Sequence, residues 1–343
     1  MLPNARGALN RRPQAVGKEG WMNGIAAPIV AVEPAEAPEF LAMRPGVSGM
    51  GVSGVGVSVV MVVFMTGEAL GESVACVLRD SLVDELVIVD NGSTPEDAEM
   101  LRALAARDPR VSLLAGHGNI GFARGANLGA RAAKGELLVF LNPDAFLQPG
   151  CIGQLAREIV GQRVPCVVGG RVLNADRTEQ RGARRGEITP MSALMSLSRL
   201  AERVPAWRRY EVHWEGEVSP DRAAPVPTIS GACFCMRRED FDCVKGFDEK
   251  YFLHVEDVDL CWRVRRAGGL VLFHPKAEVV HLGHTSQTSP IRVEFHKGVG
   301  LARYFRKRAV GVGQRVAAWL LSPVVVLAAI VRPLMWRFRG RAG

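Results

Sequence analysis

No Cys-x-x-Cys pair occurs in this chain, although it holds seven cysteines (Cys76, Cys151, Cys166, Cys233, Cys235, Cys243 and Cys261). An odd number, set mostly within apolar runs, argues against a disulfide framework and against structural zinc on the usual ligand spacings. Buried thiols in a reducing compartment are the expectation. A secretory h-region is also missing: the opening MLPNARGALNRRPQAVGKEGW is basic but broken by Gly, Pro and Ala. Acidic residues are absent after Glu294, where Lys297, Arg303, Arg306, Lys307, Arg308, Arg315, Arg332, Arg337, Arg339 and Arg341 stand. Without those ten, 33 basic residues face 35 acidic ones, so the +8 net charge belongs to the tail of a nearly neutral body. A nucleic-acid partner is therefore not expected, because such proteins spread basic residues over a working face.

What is present suits a folded enzyme. At 343 residues, with 48% hydrophobic and 23% charged, the chain has material for one large α/β domain or two smaller ones. Residues 1–56 read as a flexible extension that ends in a run of Gly, Val and Ser. Gly49-Met-Gly51-Val-Ser-Gly54 matches G-x-G-x-x-G, but it precedes a strand instead of opening a helix, so a dinucleotide reading fails on context.

From Val57 the chain becomes regular. Val57–Phe64 reads as a strand buried on both faces, Gly67–Leu82 as a helix, Glu85–Asp90 as a strand and Pro95–Arg107 as a helix with Pro in its first turn. Val111–Ala115, Phe122–Lys134 and Glu136–Leu141 continue the alternation. Short connections between strands and helices imply a parallel, doubly wound sheet, whose ligands sit at the carboxyl ends of the strands. Those ends carry Thr66, Asp90, the loop Gly116-His-Gly118-Asn-Ile-Gly121, and Asn142-Pro143-Asp144.

Each of these ends has two readings. Asp90 either caps its own turn or offers a carboxylate to a nucleobase N–H. The loop from Gly116 to Gly121 is a second G-x-G-x-x-G, flanked by strand and helix, which keeps a Rossmann dehydrogenase as a rival; against it, the loop follows the third strand and not the first. Asn142-Pro-Asp144 is either an Asx-Pro turn or an amide and carboxylate that reach one oxygen-seeking cation, Mg²⁺ or Mn²⁺. Farther along, Thr228–Met236 is strand-like and a short helix starts at Arg237. Glu256, Asp257 and Asp259 crowd the start of an amphipathic helix carrying Leu260, Trp262, Val264 and Ala267. A solvated helix N-terminus accounts for one or two of these carboxylates, and a general base near a metal-bound substrate accounts for the mixture better. His281 and His284 follow the strand-like Val279-Val280, as core imidazoles or as ligands beside a metal.

Taken in order, V-x-V-V, V-D-N-G-S, N-x-G-F-A-x-G-x-N-x-G, L-N-P-D, G-F-D-E-x-Y-F, E-D-V-D-L-C-W-R and V-x-H resemble family 2 of the inverting glycosyltransferases, between about Val57 and His284. Within that family the pattern is most similar to the rhamnosyltransferase-like and galactofuranosyltransferase-like branch. The resemblance implies a GT-A fold, a mixed sheet flanked by helices, a nucleotide-sugar donor and a divalent cation. It implies donor contacts from Asp90, Asn91, Gly121, Arg124, Asn127, Asn142 and Asp144, with Arg124 equally readable as a helix-surface residue. It also implies metal contacts from Asp144 and His281, and a catalytic base at Asp257 with Glu256 beside it. Phe64-Met65-Thr66 departs from the Tyr-Asn-polar tripeptide usual there, and Met65 offers no hydrogen bond. The implied reaction is a metal-assisted single displacement with inversion. In this branch Asn-Pro-Asp points to dTDP-rhamnose as donor; a catalytically silent carbohydrate-binding scaffold of the same fold is the other reading.

The tail completes the expectation. Leu301, Tyr304, Phe305, Ala309 and Val312 recur at helical spacing opposite Arg303, Arg306, Lys307 and Arg308. Val316–Val331, divided by Pro323, is short for a spanning helix of about 20 residues. Basic flanks and the aromatic anchors Trp319 and Trp336 suit a segment lying in an anionic leaflet. The expected division is 1–56 extension, 57–294 catalytic domain and 295–343 membrane-associating helical tail, cytoplasmic and peripheral on the inner face of the cell membrane. A saccharide or lipid-linked saccharide is the expected acceptor.

Overall fold

The computed structural model describes residues 54–198, 204–283, 285–286 and 288–339. The expected extension up to residue 53, and His284, lie outside the described residues, as does the side chain of Trp336. All described residues fall in one unit.

The first half follows the hydrophobic pattern closely. β1 (Val57–Val63) is buried at every residue, as a central parallel strand covered on both faces must be. Then come α1 (Ala69–Arg79), β2 (Glu85–Asp90), α2 (Pro95–Arg107), β3 (Val111–Leu114), α3 (Phe122–Ala132) and β4 (Leu137–Leu141). Thr94 caps α2 by accepting from the Asp97 amide at 3.1 Å. β1 pairs in parallel with β2 and β4, and β2 with β3, so the carboxyl ends of these strands share one edge.

The second half makes the sheet mixed. β5 (Ala145–Leu147), α4 (Cys151–Val160), β6 (Cys166–Leu173), β7 (Arg184–Arg185), α5 (Pro190–Ser198) and a 3-10 turn (Pro205–Tyr210) lead to β8 (Ala224–Pro225), β9 (Thr228–Ile229) and β10 (Cys233–Arg237). The strand expected over Thr228–Met236 is broken at Ser230-Gly231-Ala232, and this break brings the chain to the functional edge. β10 runs antiparallel to β4, with Cys233 opposite Leu141, so the chain enters β10 where β4 ends. α6 (Arg238–Cys243), α7 (Glu256–Arg266) and β11 (Leu270–His281) follow. The large sheet has the order β3-β2-β1-β4-β10-β6-β11-β5, with β8 beside β11, while β7 and β9 form a separate pair. β11 finishes with His281 opposite Ala145, which sets that imidazole beside the Asp144 turn.

Phe140, Phe234 and Phe247 lock the sheet to the loop before α7, with Phe140 and Phe234 stacked at 4.9 Å and Phe247 edge-on to Phe140 at 5.3 Å. Such pairs contribute about 0.5–1.5 kcal/mol each beyond area burial. Five of the seven cysteines are buried, and all are free.

Two helices end the chain. α8 (Pro290–Arg308) buries Leu301, Tyr304 and Phe305 and is tied to the body by charge. Arg303 and Lys307 meet Asp248 at 2.7 and 2.9 Å, and Lys307 meets the fully buried Asp259 at 2.7 Å. The expected boundary at 294/295 falls inside this helix. α9 (Gly311–Arg339) runs through Pro323 and Pro333 without ending, so the division expected at Pro323 does not occur. Ser322 Oγ donates to Ala318 O at 2.7 Å and accepts from Arg306, which buttresses the turn whose ladder bond Pro323 removes. Ala318, Ser322, Val325 and Ala329 face inward, whereas Val316, Leu320, Val324, Leu327 and Val331 are exposed. Gly311–Pro333 is long and apolar enough to cross a membrane by length and composition.

Candidate functional site

Asn142, Asp144 and His281 come together. Asp144, 6% exposed, lies 3.1 Å from His281 Nε2 and accepts from Thr285 Oγ1 at 3.0 Å. Asn142 Nδ2 lies 3.2 Å from the same Nε2. Burial pushes the Asp144 carboxyl up, but the hydrogen bonds and charge of His281, with Thr285, outweigh it and hold the group below its ordinary value. Gln180 settles the orientation of His281. Its Nε2 donates to Asn174 Oδ1 and to His281 O, so its Oε1 is the atom accepting from His281 Nδ1 at 2.7 Å. With Nδ1 donating to Gln180, it is Nε2 that faces the carboxylate oxygen 3.1 Å away, and a cation that displaced the proton between them would meet both atoms.

The donor set fits a divalent ion that shares its coordination with substrate. Among the described residues no three His, Cys, Asp or Glu side chains converge, so Asp144 and His281, with the Asn142 amide, would supply only part of such an ion's shell and leave the rest to substrate or water oxygens.

Asp257 stands across one peptide from this cluster. Gly231 N donates to Asp257 Oδ2 at 3.2 Å, and the carbonyl of the next residue, Ala232, accepts from Asn142 N at 2.9 Å. The turn before α7 aims the carboxylates: His254 and Val255 both have positive φ, 65° and 73°, and for the β-branched valine this is a strained conformation. Asp257 Oδ1 accepts from the Val258 amide at 2.8 Å, and Oδ2 meets Arg185 Nη2 at 2.5 Å. Glu256 is 7% exposed, and its Oε2 has no partner among the described residues. Burial, and then the Asp257 charge, push its carboxyl up to about 8, which favours its protonated form near neutral pH.

The remaining expected contacts are placed as follows. Asp90 Oδ1 accepts from Gly92 N, Ser93 N and Ser93 Oγ at 2.8–2.9 Å, which is the turn-capping geometry. Asn91 joins the glycine loop, donating to Gly121 O at 3.0 Å and meeting His117 Nε2 at 3.1 Å. Gly121 has φ +83°, and a Cβ there would lie 2.7 Å from Phe252 O. Phe122 N donates to that same oxygen at 2.8 Å, so the loop glycine admits the Phe252 carbonyl to the helix N-terminus. Asn127 bonds Phe247 N and O at 2.9 Å each, fastening the loop before α7. Arg124 points to Glu249 at 3.7 Å with its side chain 58% exposed, the helix-surface placement. Thr66 Oγ1 is buried without a partner among the described residues, at the end of β1.

Sequence reasoning did not find Gln180, Arg185 or Thr285. Gln180 and Arg185 lie between β6 and β9, a region without a periodic signal, and Thr285 follows the last recognisable motif. Gly231 had a local sign: a glycine inside a strand-like run often marks a break or a close approach. A Cβ on Gly231 would lie 3.3 Å from Asp257 Cβ.

The profile described as Glycosyl transferase family 2 matches residues 58–245. The N-acetylglucosaminyl-diphospho-decaprenol L-rhamnosyltransferase of Mycobacterium tuberculosis is 28% identical over 296 residues, covering 82% of this chain and 89% of the relative. Among solved structures, GalNAc-T7 with UDP, GalNAc and Mn2+ matches at TM-score 0.53 and 16% identity, covering 74% of this chain and 51% of that one. The mannosyltransferase PcManGT of Pyrobaculum calidifontis, in complex with GDP-Man and Mn2+, matches at TM-score 0.52 and 14% identity, over 85% of this chain and 78% of its own. These two likenesses bear on the fold, which is the expected GT-A arrangement of a mixed sheet flanked by helices. With the matched family spanning more than half of its length, the chain belongs to glycosyl transferase family 2 and is a glycosyltransferase.

Proposed function

We propose that the chain transfers L-rhamnose from dTDP-rhamnose to a saccharide carried on a lipid diphosphate, by a single displacement with inversion. The observation that carries this reading is the Gly231-Ala232 peptide, which fastens Asp257 on one side and Asn142 on the other. An acceptor hydroxyl and a donor diphosphate bound at these two groups approach each other across the reacting carbon. The activity for which the mycobacterial relative is named supports the sugar and the acceptor class.

In this mechanism Asp257 takes the proton of the acceptor hydroxyl as its oxygen attacks the anomeric carbon. Neutral Glu256 keeps a second negative charge away from that base. Asp144 and His281, oriented by Thr285 and Gln180, would hold a divalent cation, and that cation would supply charge neutralisation on the leaving oxygen. Mn²⁺ accompanies the nucleotides in both solved neighbours, which supports the choice of cation. Asp90, Asn91, Gly121 and Asn127 act through loop shape, and Arg124 stays on the helix surface.

We further assign residues 57–308 to catalysis and α9 to the cytoplasmic face of the membrane. The exposed stripe Val316, Leu320, Val324, Leu327 and Val331 supports insertion into an anionic leaflet. The test is a nucleotide-sugar screen with Mn²⁺ and a lipid-diphosphate N-acetylglucosamine acceptor. The expected result is acceptor-dependent dTDP release from dTDP-rhamnose; release only from other donors would replace the sugar assignment.

A further inference from the structure

A surplus cation sits beside the base. α8 crosses the turn before α7 so closely that a Cβ on Gly300 would lie 3.0 Å from His254 O and from Val255 Cγ2. Lys297 is one turn earlier on the same helix face. Its neighbours are already committed, Glu294 to Arg332 at 3.4 Å and Asp257 to Arg185 at 2.5 Å. No ion pair forms to Lys297 among the described residues, although Glu294, Arg332, Arg185 and Asp257 all act on its charge. Burial lowers its ammonium below the ordinary lysine value against the pull of Glu294. Beside the base and on α8, Arg185 Nε, Glu256 Oε2 and Glu294 Oε2 are buried with no hydrogen-bond partner among the described residues. An unmatched cation among unsatisfied polar atoms is costly unless an anion completes the set.

The base is also closed. Asp257 Oδ1 is held by Val258 N, while Oδ2 is held by Arg185 and Gly231 N. A guanidinium on the base competes with the hydroxyl that the base must receive. Arg185 prefers a phosphate to a single carboxylate oxygen, because two of its N–H groups match two phosphate oxygens.

We propose that Arg185, Lys297 and Glu256 form the binding site for the diphosphate of a lipid-linked acceptor, whose arrival draws Arg185 off Asp257 and opens the base. The proposal rests on Asp257 being the base. Only acceptors that carry the anion unlatch Asp257. Water alone leaves the base closed, which protects the donor from hydrolysis.

The test is calorimetric titration of geranyl diphosphate into the full chain with EDTA present, so that the metal-dependent donor site is silent. Wild type is expected to bind it at least tenfold more tightly than geraniol. Lys297→Ala and Arg185→Gln should each weaken binding fivefold or more, and Asp144→Ala should leave it within twofold. Asp257→Asn should tighten binding at least threefold, because the carboxylate no longer competes for Arg185; a merely structural Arg185–Asp257 pair does not give this sign. Absence of binding to wild type, loss in Asp144→Ala, or unchanged or weaker binding in Asp257→Asn would overturn the proposal. So would Lys297→Ala abolishing binding to phosphatidylglycerol vesicles while geranyl diphosphate binding stays intact, since the anion would then be a membrane headgroup. Should Arg185→Gln misfold, Lys297→Ala and Asp257→Asn still decide. Full turnover by Asp257→Asn would instead remove the base assignment and leave these binding results standing.

Discussion

Side chains at the edge of the sheet divide into those that meet substrate and those that aim them. In the proposed reaction Asp144 is of the first kind, and His281 and Thr285 are bonded to it at 3.1 and 3.0 Å. Asp144→Ala should weaken donor binding in the presence of Mn²⁺ and leave the metal-free value unchanged; an unaltered Mn²⁺ titration contradicts its role. Glu256 gives a prediction of opposite character. Its folded carboxyl keeps a proton up to about pH 8, against 4.5 for an unperturbed glutamate. Between those values the folded state binds more protons than the unfolded state, so the residue costs stability as pH rises through that window. Glu256→Gln should therefore gain more in urea midpoint at pH 8 than at pH 5; an equal change at both means that burial does not hold the group neutral.

At the scale of elements, α8 is fixed to α7 by a buried ion network. Asp259 is fully buried, with Arg263 at 2.6 Å and Lys307 at 2.7 Å. Asp259→Ala leaves Arg263 without its carboxylate and Lys307 with Asp248 alone, and should cost about 3–5 kcal/mol, read as a lowered urea midpoint; a loss below about 1 kcal/mol would mean that the network is solvent-relaxed. The β1-to-β4 half of the sheet was legible because buried parallel strands are continuous β-branched runs, and β2 and α2 have the expected limits. The break at Gly231 was not legible as such, since Thr228–Ile229 and Cys233–Arg237 have the composition of one strand. Asp257 and Asp144 could be read from their motifs, whereas Gln180 and Arg185 meet their partners across separations of 101 and 72 residues that no local pattern encodes. Pro323 misled for a physical reason: a helix anchored along one face tolerates a missing ladder bond when Ser322 supplies a substitute contact.

For the whole molecule, the structure changes the meaning of the basic tail. Arg303, Lys307, Arg308 and Arg332 pair with Asp248, Asp259, Glu187 and Glu294, so much of the late positive charge is spent inside the protein as a clamp. The proposed membrane contact would then fall to the apolar stripe of α9. A Val316→Glu, Leu320→Glu double variant keeps the packed face and should cut flotation with phosphatidylglycerol vesicles at least tenfold; flotation equal to wild type would assign α9 to packing alone. The account as a whole stands on Asp257 as the base of a sugar transfer to which donor and acceptor are brought from two sides of one peptide. The direct measurement is acceptor-dependent nucleoside diphosphate release by wild type and Asp257→Asn, each with donor affinity measured alongside. Transfer should fall by roughly 10²–10⁴-fold with donor affinity within a few-fold of wild type; turnover by Asp257→Asn close to wild type would contradict the account.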